Sequence, residues 1–246
     1  MQIVPAIYIY DGKAAVYRPG DYENIEFIDK DPYEILKEIE ENGIQRVLLI
    51  DINASGPGEA PNNKGLLGSL SNTCVVDIEV GGGIDNMEYL KSLQYAGVDN
   101  YVLGSVVYDN FDFVRQLAEE DHVKNEDILI SVDVLEGKLS YHGWKDPVEG
   151  LTPQELMYKC INIGLTRFNV TDVRKEAEQP NFEFYEELIT QLPGASVGAA
   201  GNIHTFEDVE KLEGLGVREV YVGNRIYKEP ELLKAIAEFN KGREVE

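Results

Sequence analysis

The chain has 246 residues, 45 acidic against 22 basic side chains and a formal net charge of −23. That length fits one large domain or two small ones with a sizeable core, and the acidic excess argues against duplex nucleic acid, which is bound by clustered Lys and Arg. No apolar run approaches membrane-spanning length, and Met1 leads into a strand pattern with no basic, signal-like segment, so a cytoplasmic protein with no membrane partner is expected.

Taken in order, Ile3 to Tyr10 reads as a strand and Asp11-Gly12 turns the chain. A loop containing Arg18 follows. Asp31 is a helix cap with Pro32 at the first position and Glu34 reaching back, Ile35, Leu36 and Ile39 share one face, and Gly43 ends the helix. Arg46 to Ile52 is the second strand, with Asp51 at its end, and Ser55 to Asn63 is a Gly/Pro/Asn-rich loop. Val75 to Val80 is the third strand, Asn86 to Ala96 the third helix and Asn100 to Leu103 the fourth strand, closed by Gly104-Ser105. Phe111 to Glu119 reads as helix, Asp127 to Val134 as strand and Lys138 to Tyr141 as part of a hairpin. In the second half Thr152-Pro153 starts a helix, Arg167 to Thr171 is a strand, Phe182 to Gln191 a helix and Ala195 to Ala199 a strand. Thr205 with Asp208 starts the seventh helix, Glu219 to Val222 is the eighth strand and Pro230 opens the last helix.

The second half copies the first. Gly82 and Gly201, Gly97 and Gly216, Gly104 and Gly223, and Ser105 and Asn224 are related by an offset of 119; Gly43 and Gly164, and Asp51 and Asp172, by 121; Gly12 and Gly137 by 125. A steady offset with small drift marks a duplicated half-domain, with halves of about 1–122 and 123–246. Eight strand–helix units arranged as two times four predict an α/β fold, a single closed (β/α)₈ TIM barrel with an internal two-fold repeat, whose site lies at the C-terminal ends of the strands. An open doubly wound sheet is the alternative, but no dinucleotide fingerprint supports it.

In such a barrel the loops after strands three and four are neighbours, as are those after seven and eight. Gly82, Gly83, Gly104 and Ser105 then line one anion pocket, and Gly201, Asn202, Gly223 and Asn224 the other, with Arg225 nearby. Backbone N–H groups can hold phosphate there without a net positive charge. Asp51, Asp133 and Asp172 stand at strand ends as site carboxylates, with turn or cap roles as the alternative for Asp51 and Asp172. Cys74 and Cys160 lie far apart in apolar contexts and read as reduced core thiols, while His122, His142 and His204 share no ligand spacing; neither a metal nor a cofactor is expected.

Val4-Pro5-Ala6-Ile7 followed by Asp11-Gly12-Lys13, Gly20-Asp21-Tyr22, Asp31-Pro32, Val80-Gly81-Gly82-Gly83-Ile84, Ser131-Val132-Asp133 with Gly143-Trp144, and Val222-Gly223 resemble the ProFAR isomerase family of histidine biosynthesis over nearly the whole chain. The resemblance implies an Amadori rearrangement of an aminoaldose phosphate, a substrate with two phosphates, and two aspartates flanking the sugar. One of the two is Asp133, and Thr171 matches a threonine at the family's site. The other aspartate falls on Tyr8, which the repeat also aligns with Asp133 at the offset of 125. Three more departures accompany it: Asp85 replaces an arginine, Asn202 a glycine, and Glu176-Ala177-Glu178 an Asp-Gly-Thr. A monomeric isomerase of reduced activity is the leading expectation. Alternatives are a non-catalytic barrel that binds a sugar phosphate or a partner protein, a phosphoribosyl anthranilate isomerase, and an ammonia-using cyclase.

Overall fold

Eight parallel strands carry long buried runs of β-branched and aliphatic residues, the pattern of a sheet covered on both faces. They are β1 (Gln2–Tyr10), β2 (Arg46–Asp51), β3 (Asp77–Gly81), β4 (Asn100–Leu103), β5 (Ile128–Leu135), β6 (Arg167–Val173), β7 (Ser196–Ala200) and β8 (Glu219–Val222). In this computed structural model, which describes residues 1–18, 21–56, 62–98, 100–141, 146–174 and 177–243, each strand pairs in parallel with the next. β8 closes the ring on β1. The fold is therefore a (β/α)₈ barrel, and the open-sheet alternative is excluded by that last pairing.

The surrounding helices are α1 (Pro32–Glu41), α2 (Lys64–Thr73), α3 (Met87–Tyr95), α4 (Phe111–Ala118), α5 (Pro153–Ile161), α6 (Phe182–Gln191), α7 (Phe206–Leu215) and α8 (Leu232–Asn240). Their starts follow local chemistry. Full capping boxes are formed by Thr152 with Glu155 and by Thr205 with Asp208, whereas Asp31 caps α1 by accepting from the Tyr33 N–H and Glu34 contributes its charge to the first turn. Pro230 does not open α8: Leu232 N–H donates to Glu229 O at 3.0 Å, so the proline lies in a turn before the helix. Three further helical turns, Ile52–Ser55, Val106–Asp109 and Arg225–Lys228, follow β2, β4 and β8. No helix among the described residues is long and apolar enough to cross a membrane.

The two-fold repeat is visible in the backbone as well as in the sequence. Asp11-Gly12 (φ 47° and 75°) and Glu136-Gly137 (φ 50° and 79°) both turn with positive φ, the geometry of a tight two-residue hairpin. The first leads into a strand, Lys13–Val16, antiparallel to β1, and the second into Lys138–Tyr141, antiparallel to β5. Between β2 and β1 the register places Ile9 beside Asp51, and between β6 and β5 it places Val134 beside Asp172.

Apolar side chains fill two separate regions. The larger lies between strands and helices and includes Ile7, Leu49, Val80, Ile130, Val132 and Val170; a smaller one, Val4, Ala6, Leu48, Val102, Leu129 and Tyr221, comes from the alternate strand positions that point into the barrel. At the N-terminal end of the strands the barrel holds charge. Arg167 Nη2 lies 2.6 Å from Glu79 Oε1, Arg46 pairs with Glu219, and the Tyr221 hydroxyl lies 2.8 Å from Glu219 Oε2 and 3.2 Å from Glu79 Oε2. Glu79 is 1% exposed, so its ion pairs must offset a large desolvation cost. Truncating Arg167 to Ala leaves that carboxylate without its nearest partner and is expected to lower stability by about 3–5 kcal/mol at pH 7. Urea unfolding measures this; a loss below about 1 kcal/mol would show that Arg46 alone suffices.

Candidate functional site

The barrel mouth collects the ends of β1, β5 and β6. Register sets Thr171 beside Asp133. Asp133 accepts a hydrogen bond from Ser131 Oγ at 3.2 Å and another from the Thr171 side chain. Burial pushes the Asp133 carboxyl up to about 6, against the pull of those two hydroxyls. A carboxylate poised there is ionised at neutral pH yet basic enough to accept a proton, the property expected of a general base.

Tyr8 reaches the mouth from β1. Burial first, and the Asp133 charge second, push its phenol up to about 12, so it stays protonated and serves only as a donor near neutral pH. Its ring lies over the loop after β8: a Cβ on Gly223 would meet Tyr8 Cε2 at 3.3 Å and its hydroxyl at 3.4 Å. The Tyr8 and Tyr17 ring centroids are 5.5 Å apart, and those of Tyr17 and Tyr22 also 5.5 Å, which continues the aromatic row across the mouth.

The glycines after β3 and β7 answer first to packing. Gly82 (φ +107°) and Gly201 (φ +83°) sit so close to the preceding repeat unit that a Cβ would lie 2.3 Å from Asp51 O and 2.4 Å from Asp172 O. Gly83 (φ +67°) has the same constraint against Ala54 O, at 2.5 Å. Gly104 and Ser105 lead into the turn Val106–Asp109, and a Cβ on Gly104 would meet only open space.

Several polar side chains expected to face a ligand are engaged with backbone. Asn202 accepts from Arg174 N–H at 2.9 Å and donates to Arg174 O at 3.1 Å and Ala177 O at 3.0 Å, which ties down the loop after β6. Asn224 accepts from Tyr17 N–H at 3.3 Å and donates to Tyr17 O at 2.8 Å, joining the β8 and β1 loops. Arg225 is held by Glu229, at 2.7 and 2.8 Å, and by Ile203 O. Asp51 is fully buried and acts as a cap, accepting from Ala54 N–H at 3.1 Å and from Asn63 N–H and Nδ2 at 2.7 Å each. Asp172, also buried, lies 3.4 Å from Arg174 Nε. Arg18 is exposed on the β1 loop. The sequence motifs at Gly20, Gly143-Trp144 and Glu176 lie outside the described residues.

One set of groups escaped the sequence reading. The hydroxyls of Tyr89, Tyr108 and Tyr227 are buried with no hydrogen-bond partner among the described residues. Tyr108 and Tyr227 are themselves related by the offset of 119, a signal present in the sequence.

The family model described as "Histidine biosynthesis protein" matches residues 2–238. A protein of Cytophaga hutchinsonii is 30% identical over 98% of this chain and 99% of its own length, and one of Streptococcus thermophilus is 32% identical over 92% and 94%. A third, from Dehalococcoides mccartyi, is 29% identical over 92% and 94%. All three are named as isomerases of 1-(5-phosphoribosyl)-5-((5-phosphoribosylamino)methylideneamino) imidazole-4-carboxamide, the compound abbreviated ProFAR. With its barrel closed and residues 2–238 matched, the chain belongs to the histidine biosynthesis protein family.

Proposed function

We propose that this chain is a slow ProFAR isomerase of the cytoplasm, working as a monomer and without a cofactor. The observation that carries the reading is Asp133, a carboxyl at the end of β5 held near pH 6 by burial and steadied by Ser131 and Thr171. An Amadori rearrangement opens the aminoaldose ring, moves a proton from the carbon next to the imine and yields an aminoketose. Asp133 takes that proton, and Thr171 keeps the carboxylate turned toward it. The turns beginning at Gly104-Ser105 and Gly223-Asn224 offer backbone N–H groups to the two phosphates, with Gly82, Gly83, Gly201 and Asn202 shaping the walls. Because Asn202 and Asn224 bind backbone through their side chains, the second pocket relies on main-chain donors.

The slow rate follows from Tyr8, which supplies no base and whose ring lies across Gly223. The same observation favours a second reading, a barrel that binds a phosphosugar without turning it over. Incubation with saturating ProFAR separates the two. Product formation that vanishes in Asp133→Asn supports the isomerase; tight ProFAR binding with no product supports the binder.

A further inference from the structure

We infer that Tyr108 is a substrate-facing hydrogen-bond donor of this site, its hydroxyl holding a sugar oxygen beside Asp133. The inference rests on the proposed reaction and concerns one residue outside the matching motifs.

Tyr108 lies in the helical turn Val106–Asp109, directly after the Gly104-Ser105 end of β4. The β4–β5 register, Leu103 beside Ile130, sets that turn above the part of β5 that carries Ser131 and Asp133. From the other side, the ring of Tyr108 stacks on Tyr141 at 5.0 Å and 23°, and Tyr141 belongs to the hairpin strand that folds back along β5. Two rings stacked so closely hold the phenol in one orientation. The hydroxyl is buried, has no hydrogen-bond partner among the described residues, and has its pKa raised by burial first and then by the charges of Asp133, Cys160 and Tyr141. A phenol that burial keeps protonated can donate to an oxygen that gains charge as a sugar ring opens.

The repeat supplies an internal comparison. Tyr227 occupies the equivalent place after β8, and its hydroxyl is likewise buried with no hydrogen-bond partner among the described residues. Its electrostatic neighbour is Tyr8, whereas Tyr108 has Asp133, with Cys160 and Tyr141 behind it in weight. Only the Tyr108 copy therefore combines a donor with a titratable carboxylate near neutral pH. A buried hydroxyl without a partner is unfavourable for folding, so a purely structural role predicts that Phe serves as well or better.

Tyr108→Phe keeps the ring and its stacking and removes one oxygen, and Tyr227→Phe is the matched control. With ProFAR as substrate, Tyr108→Phe is expected to lower kcat roughly 10²-fold with little change in KM and no loss of thermal stability, while Tyr227→Phe behaves as the unmodified chain. A kcat for Tyr108→Phe within about twofold of the unmodified chain overturns the inference. If the unmodified chain binds ProFAR but does not turn it over, the isomerase reading fails on its own, and calorimetric titration with ProFAR decides the role of Tyr108. A Kd about five- to tenfold weaker for Tyr108→Phe alone then upholds it, and equal Kd values overturn it. No binding of ProFAR to the unmodified chain overturns both.

Discussion

Asp133→Asn is expected to abolish turnover and to make the protein more stable at the same time. Loss of a positioned base lowers the rate roughly 10²–10⁴-fold, and no neighbouring carboxylate among the described residues takes over, because Asp51 is a cap and Asp172 lies beside Arg174. The stability effect comes from the raised carboxyl pKa. A group whose folded pKa is about 6 against an ordinary 3.8 binds its proton more tightly in the folded state. Its contribution is fully present below pH 3.8 and is lost as pH rises through 6, so the ionised carboxylate destabilises the fold at pH 8 by up to about 3 kcal/mol. Asparagine has the same shape and no charge to bury. The substituted chain should therefore unfold at higher urea than the unmodified one at pH 8, with the gap closing toward pH 4. In the unmodified chain, kcat/KM should rise with pH through about 6, as Asp133 ionises. Turnover that survived the substitution, or a pH-independent stability difference, would remove Asp133 from the role of base.

The barrel was legible because its signals are local and repeated. Pro-primed caps, positive-φ glycines and strand-length apolar runs recur at offsets of 119 to 125, so each half vouches for the other. Helix α2 was the least legible element, since KGLLGSLSNT mixes serine and glycine into its length. The fold requires one of those glycines: a Cβ on Gly68 would fall 2.4 Å from Ala96 Cβ, so the residue that weakens the helical signal also lets α2 approach the end of α3. Asp133, Thr171 and Tyr8 do meet at the mouth, because strand-end position is fixed by register. Side-chain direction was not readable in the same way. Asn202 and Asn224 stand where ligand donors were expected, but a side-chain amide offers a donor and an acceptor together, and neighbouring loop backbone satisfies both. Likewise Gly82 and Gly201 are explained by the carbonyls of Asp51 and Asp172, before any anion is considered.

Tyr8→Asp is expected to have the opposite pair of effects, a gain in turnover and a loss of stability. The phenol, pushed up to about 12, is never a base near neutral pH, and its ring covers Gly223 in the second of the proposed phosphate pockets. Aspartate at that position restores a second proton-transfer group across the barrel from Asp133 and uncovers the Gly223 turn, so turnover should rise by roughly 10²-fold or more. Two carboxylates facing each other raise one another's pKa, which should move the acid limb of the pH–rate profile above 6. The cost falls on packing, since Tyr8 supports the Tyr17 ring at 5.5 Å and, through it, the row that continues to Tyr22. Removing a packed ring of that size should lower stability by about 3–5 kcal/mol. Tyr8→Phe keeps the packing and serves as the control: unchanged stability with unchanged slow turnover would show that the Tyr8 hydroxyl takes no part in the chemistry. If the unmodified chain already turns over ProFAR at a kcat of roughly 1 s⁻¹ or more, or if Tyr8→Asp folds and brings no gain, an aspartate on the first strand is not what this barrel lacks.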